Sequence, residues 1–216
     1  MNTKTYMTAL LCLIFNVASA TAGSISVGYA SDYFRRGAVL SSEAVQSSLS
    51  LDSDIGGFNA SVGASTNQST SGGSDAYVIE FGGSKQLADL LDVYIGLEHF
   101  EEVAGDAYLD ARLSVSFDTV LSPSVTLYRN TSENLYTFEL SGKHKLETEV
   151  ANLCVHGLYG NTDASASVNE DYYGVGVIAS KSVSDNAELG LSYDYFDSDL
   201  ISDGESIVGL SLSVSF

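Results

Sequence analysis

Residues 208–216 alternate without a break. Val208, Leu210, Leu212, Val214 and Phe216 fall on one side, and Gly209, Ser211, Ser213 and Ser215 on the other. A strand points successive side chains to opposite faces, so one face here is wholly apolar and the other small and polar. The stretch is about as long as a tilted membrane-crossing strand, roughly 9–11 residues. A half-buried strand of a soluble sheet alternates in the same way. The closing aromatic, Phe216, is the feature that favours a strand of a bacterial outer-membrane barrel. It also implies the barrel assembly machinery as a partner.

The beginning of the sequence supports export. Lys4 precedes an apolar run over residues 7–17, and Ala18-Ser19-Ala20 then offers a cleavage site. That order predicts a signal peptide over 1–20, with Ala20-Thr21-Ala22 as an alternative cut; the run is too short to span a bilayer as a helix. Cys12 lies inside this run, which argues against a lipid anchor. Cys154 is the one cysteine beyond it, so no internal disulfide is expected, and a small buried side chain is its simplest role. An exported chain with strands and no membrane helix is either soluble or a closed barrel, because lipid tolerates no unpaired sheet edge.

Residues 21–216 divide into segments of alternating hydrophobicity separated by turn-rich stretches, the repeating signal of an antiparallel transmembrane β-barrel. About twelve strands are predicted, with ten to fourteen allowed: 24–30, 44–53, 58–66, 76–84, 91–100, 107–117, 124–129, 135–143, 149–160, 172–181, 187–196 and 206–216. The connections 31–43, 67–75, 101–106, 161–171 and 197–205 read as outer loops, and 54–57 and 183–186 as tight inner turns. Aromatics gather at the strand ends, Tyr29, Tyr33, Phe34, Phe100, Tyr128, Tyr159, Tyr195 and Phe196 at the outer side and Phe58, Phe117 and Phe216 at the inner. They are expected to form girdles at the lipid headgroups.

Charge narrows the function. The sequence holds 28 acidic residues against nine Lys and Arg. Lys4 is the only charge in the predicted signal peptide, which leaves a net charge of about −20 on the rest, a balance that excludes nucleic acid as a partner. Outer-membrane lipid and small polar solutes or cations remain. The alternation assigns Asp52, Glu80, Asp92, Glu98, Asp110, Arg112, Glu139, Lys143, Glu188 and Asp194 to the lumen face. Carboxylates outnumber bases there, which describes a path favouring cations; pairing across the lumen would instead plug it. Asp32, Arg35 and Arg36 fall at the first outer mouth, either as an Asp–Arg pair narrowing a pore or as an ion pair fixing the loop.

At that mouth the residues resemble a known group. Tyr29-Ala30-Ser31-Asp32-Tyr33-Phe34-Arg35-Arg36-Gly37 is similar to the Y-x-S-D-Y-x-x-R-G stretch that closes the first strand in TorF-type bacterial outer-membrane porins, and Val45-Gln46 and Gly57-Phe58 look like that group's next hairpin. The match covers residues 25–66. It implies a porin-like barrel and names no solute.

Catalysis has weak support. His99, His144 and His156 are the only histidines, and His99, flanked by Glu98 and Glu101, is the best placed. No G-x-S-x-G nucleophile motif, phosphate-binding loop or metal cluster appears, and no cofactor is expected. The reading is therefore a passive channel, with a pore-less barrel in a structural or surface-attachment role as the alternative.

Overall fold

The computed structural model describes residues 22–103, 105, 107–165 and 168–216. The predicted signal peptide lies outside them. Twelve strands follow one another: β1 Ala22–Arg35, β2 Ala38–Asp54, β3 Asn59–Gly73, β4 Ala76–Ala88, β5 Leu91–Glu102, β6 Ala107–Phe117, β7 Ser124–Asn130, β8 Tyr136–Glu147, β9 Asn152–Ser165, β10 Val168–Ser184, β11 Ala187–Ser198 and β12 Glu205–Ser215. Each pairs antiparallel with its neighbours in the chain, and β1 pairs with β12 from Ser24↔Ser215 to Ala30↔Gly209, so the sheet is a closed barrel. Closure removes the free edges that an open sheet would leave unpaired.

The alternation read in the sequence sorts side chains between the two faces. Ile95, Val175, Leu191 and Leu210 are each more than half exposed on the outer wall. Their neighbours in sequence, such as Gly96, Gly174, Ser192 and Gly209, turn to the lumen. An outer wall this apolar is the inverse of a water-facing surface and suits a hydrocarbon environment.

Strand number and order agree with the sequence, and so do the tight turns at 54–57 and 183–186, but three of the five outer loops do not. Strands run through most of what reads as outer loops. β1 and β2 occupy nearly all of 31–43, leaving Arg36-Gly37 as a two-residue turn. β3 takes most of 67–75, and β9 and β10 take most of 161–171. Serine, glycine and asparagine are poor strand formers in isolation, yet a strand already paired below can continue through them. Periodicity sees the apolar part of a strand only; the polar continuation has no outward apolar residue to mark it.

We call the end holding Ala22 and Ser215 the terminal end, and the opposite one the distal end. At the distal end the β1–β2 tip turns into the lumen. Arg36 has φ 46° and Gly37 φ 91°, the left-handed pair typical of the tightest hairpins. The ladder shifts register between Tyr33 and Phe34, which re-aims the residues beyond it. At the terminal end β7 is the shortest strand, and the turn at 118–123 stands in for it: Lys143 N donates to Leu121 O at 2.8 Å.

Candidate functional site

Across the distal half of the lumen the β1–β2 tip forms a layer from wall to wall. On one side Arg35 and Arg36 both donate to Glu98 of β5, with Arg36 Nη2 to Glu98 Oε1 at 2.8 Å, and Arg36 also pairs with Asp110 of β6. Side chains of Glu98 and Asp110 are only 8% and 1% exposed, so these charges are held where unpaired ones would be costly. The guanidiniums also lie over aromatic faces, Arg35 over Phe100 at 4.5 Å and Arg36 over Tyr128 at 4.1 Å. On the other side Phe34 stacks on Phe196 of β11 at 4.3 Å and meets Tyr172 of β10 edge-on at 6.3 Å. Ser198 Oγ donates to Gly37 O at 2.5 Å and ties the turn to the end of β11.

A second layer lies nearer the terminal end. Arg112 Nη1 and Tyr94 OH both donate to Glu80 Oε1, at 2.7 and 2.5 Å. Tyr172 OH donates to Glu139 Oε1 at 2.6 Å. His156 Nε2 lies 2.7 Å from Asp194 Oδ1.

Space remains on every side of these layers. A cavity of about 250 Å³ lies distal to Arg35 and Arg36, between Tyr108, Tyr128 and Thr137. One of about 330 Å³ lies beside the tip, lined by Asp32, Tyr33, Phe34, Asp194 and Phe196. The largest of these three, about 710 Å³, lies in the terminal half against β5 to β9 and is bounded by Asp92, Arg112, Ser116, Lys143, Lys145 and His156.

The structure therefore places the sequence candidates as follows. Glu80, Glu98, Asp110, Arg112, Glu139 and Asp194 face the lumen and are drawn into the two layers. Asp92 and Lys143 line the terminal cavity. Asp52 and Glu188 stand on the lumen side of β2 and β11 near the terminal end, paired in the ladder with Ser61 and Ser213. The Asp32–Arg pair is replaced by another arrangement: both arginines go to Glu98 and Asp110, while Asp32 borders the cavity beside the tip. The cause is the turn at Arg36-Gly37, which carries the arginines past the mouth and into the barrel.

The aromatic girdle is also revised. Phe34, Phe100, Tyr128 and Phe196 serve the lumen layer, and Phe100 is 3% exposed. Tyr29 and Tyr159 of the expected girdle stay exposed, as do Phe58, Phe117 and Phe216 at the terminal end, and Tyr77, Tyr136, Tyr173 and Tyr193 join them on the outer wall. Of the histidines, His99 approaches Glu101 at 3.6 Å and stands on the face opposite Glu98. His144 Nδ1 is 2.8 Å from Val120 O at the terminal end. His156 is the histidine that meets a carboxylate inside the barrel. Cys154 is half-buried on the lumen side of β9.

Sequence reasoning missed Lys145, Tyr108 and Tyr172 as lumen residues, and Tyr94, on the face of Asp92 and Glu98 by parity, was not singled out. Lys145 was within reach, since it lies two residues beyond Lys143 on a strand that continues to Glu147. Among the described residues no group of three or more His, Cys, Asp or Glu side chains is placed to hold a metal ion.

Comparison with known proteins agrees with this architecture. No family model matches the chain, and no curated protein does either. Among solved structures the chain resembles the KdgM porin, with a TM-score of 0.60 at 11% identity over 89% of this chain and 99% of that one. It also resembles the NanC porin, with a TM-score of 0.57 at 11% identity over 89% of this chain and 98% of that one. An outer-membrane channel from Pseudomonas putida F1 aligns with a TM-score of 0.58 at 10% identity, over 91% and 95%. At such identities the likeness is one of fold: a closed antiparallel barrel of the kind that outer-membrane porins and channels adopt.

Proposed function

We propose that this protein is a passive channel of a bacterial outer membrane for small polar solutes or cations. The observation that carries the reading is a lipid-suited outer wall around a polar lumen with about 710 Å³ of space on one side of a thin side-chain layer and about 250 Å³ on the other. In this reading residues 1–20 are removed on export, the terminal end faces the periplasm, and the strand ending at Phe216 is the one offered to the assembly machinery. The porin likeness and the Tyr29–Gly37 resemblance to the TorF-type group support it, and that nine-residue stretch coincides with the inturned tip.

Selectivity follows from the pairing. Three arginines, Arg35, Arg36 and Arg112, stand with five carboxylates, Glu80, Glu98, Asp110, Glu139 and Asp194, so most of the charge at the layers is paired and a small negative excess is left. A lumen lined by free carboxylates would favour cations strongly; this one favours them weakly. The role is transport without chemistry, by diffusion through a polar path.

One observation favours a second reading, a barrel closed to flow with a structural or surface role: the tip touches β5 and β6 on one side and β10 and β11 on the other. Planar-bilayer conductance of the refolded chain over 21–216, with a salt gradient across the membrane, separates the two. Stepwise openings with a small cation-directed reversal potential are expected. A folded barrel that passes no current would overturn the channel and leave the closed barrel.

A further inference from the structure

The terminal cavity reverses the charge balance of the rest of the molecule. Acids outnumber bases more than threefold in the whole sequence. Around this cavity Arg112, Lys143, Lys145 and His156 stand against Asp92 and Asp118. Arg112 is occupied by Glu80, and His156 by Asp194. Lys143 and Lys145 differ: among the described residues neither has a carboxylate within ion-pair distance.

Their placement is set by the backbone. Two residues apart on β8, they share one face, with Cα atoms roughly 6–7 Å apart from the strand rise. Lys143 is in register with His156, and Lys145 with Cys154, both on the lumen side of β9. β7 stops pairing with β8 at Ser124↔Ser141, so beyond Ser141 the wall beside the lysines is the 118–123 turn. Both lysines are exposed, and the space they are exposed to is this cavity. Hydroxyls border the same space at Ser116, Ser122, Ser124 and Ser141.

Two ammonium groups turned into a hydroxyl-lined cavity, in a chain with carboxylates to spare, are suited to an anion brought from outside. We propose that this cavity is a binding site for a small organic anion, a carboxylate or phosphate ester, whose charged oxygens are gripped by Lys143 and Lys145 while the serine hydroxyls take its remaining polar atoms. The inference goes beyond the channel reading, whose layers favour cations weakly, and rests on it only for the anion's route. It makes the largely paired layer the barrier and this cavity the place where the anion is held.

The test is binding to the refolded barrel in uncharged micelles, by calorimetry, with citrate and inorganic phosphate as the two probes and glycerol as the uncharged control. Citrate or phosphate binding that weakens with added salt is expected, with none for glycerol. A charge-assisted contact contributes enough that Lys143→Gln and Lys145→Gln should each weaken binding about tenfold, and Lys143→Arg should keep it. Lys181→Gln, on the outer wall at the same end, should change nothing. Citrate without phosphate identifies a carboxylate site, and the converse a phosphate site. Failure of both probes to bind, or binding that the glutamine variants leave intact while circular dichroism reports a folded barrel, would overturn the proposal. Binding is read without current, so a barrel that binds citrate but does not conduct sinks the channel and keeps the site, while one that conducts and binds neither does the reverse.

Discussion

His156 on β9 and Asp194 on β11 meet at 2.7 Å although a whole strand, β10, lies between them. Gly176 of β10 makes this possible. It is in register with both residues, and a Cβ there would fall on Asp194 Oδ1 and 2.8 Å from His156 Nε2. Glu139 and Tyr172 repeat the arrangement over Gly160, and Arg112 reaches Glu80 past Gly96. The lumen glycines are therefore crossing points, over which long polar side chains join strands that are not neighbours.

Gly176→Ala should separate His156 from Asp194 and lower the urea midpoint of the refolded barrel, followed by circular dichroism. A double-mutant cycle with His156→Ala and Asp194→Ala should give a coupling of about 0.5–3 kcal/mol in the parent. The same cycle built on Gly176→Ala should give almost none.

The arginines of the tip hold buried carboxylates. Arg36→Ala leaves Asp110 and one side of Glu98 uncompensated, and breaking such a buried pair costs about 3–5 kcal/mol. Asp110→Asn in the same chain should recover part of the loss. Current through a planar bilayer should rise in Arg36→Ala, because the tip loses its hold on β6 and keeps only Arg35 to hold it to β5.

On the opposite wall the hold is aromatic. Phe34→Ala and Phe196→Ala should each raise conductance. Their stability effects should be coupled by about 0.5–1.5 kcal/mol, the usual worth of a stacked pair beyond its burial. Additive effects would mean that the 4.3 Å stack contributes nothing specific.

Leu113 is at the middle of β6 on the outer wall, and Ser116 is on the lumen side of the same strand. Leu113→Arg should destabilise the barrel refolded in lipid vesicles by about 2–4 kcal/mol, and Ser116→Arg much less. On a water-facing wall the Leu113 exchange would cost little, so the comparison tests the membrane assignment directly.

Strand number and order were legible because each wall face repeats every second residue, as in 107–117, where Leu109, Ala111, Leu113, Val115 and Phe117 alternate with Asp110, Arg112, Ser114 and Ser116. The lumen face of Glu80, Glu98 and Asp110 followed from the same parity. Partners did not. Parity tells that Arg36 can point inward but not that a turn at Gly37 carries it to Asp110, 74 positions away. Strand continuation through polar residues was equally silent, since alternation without an apolar side looks like a loop. Nor does a glycine announce in sequence whether it leaves a gap or is bridged, as Gly160 is by Tyr172.

The inturned tip also bears on the order of assembly. Residues 34 to 37 belong to the first hairpin and are made early, but their resting place includes Phe196, Ser198 and Tyr172 near the other end of the chain. Gly37 and Ser198 are 161 positions apart. Contacts so distant in sequence form only after the intervening chain has been organised, because closing so long a loop early is costly. The arginine side of the tip can therefore dock once β5 and β6 are laid down, while its aromatic side comes to rest only when the last strands arrive to complete the ring.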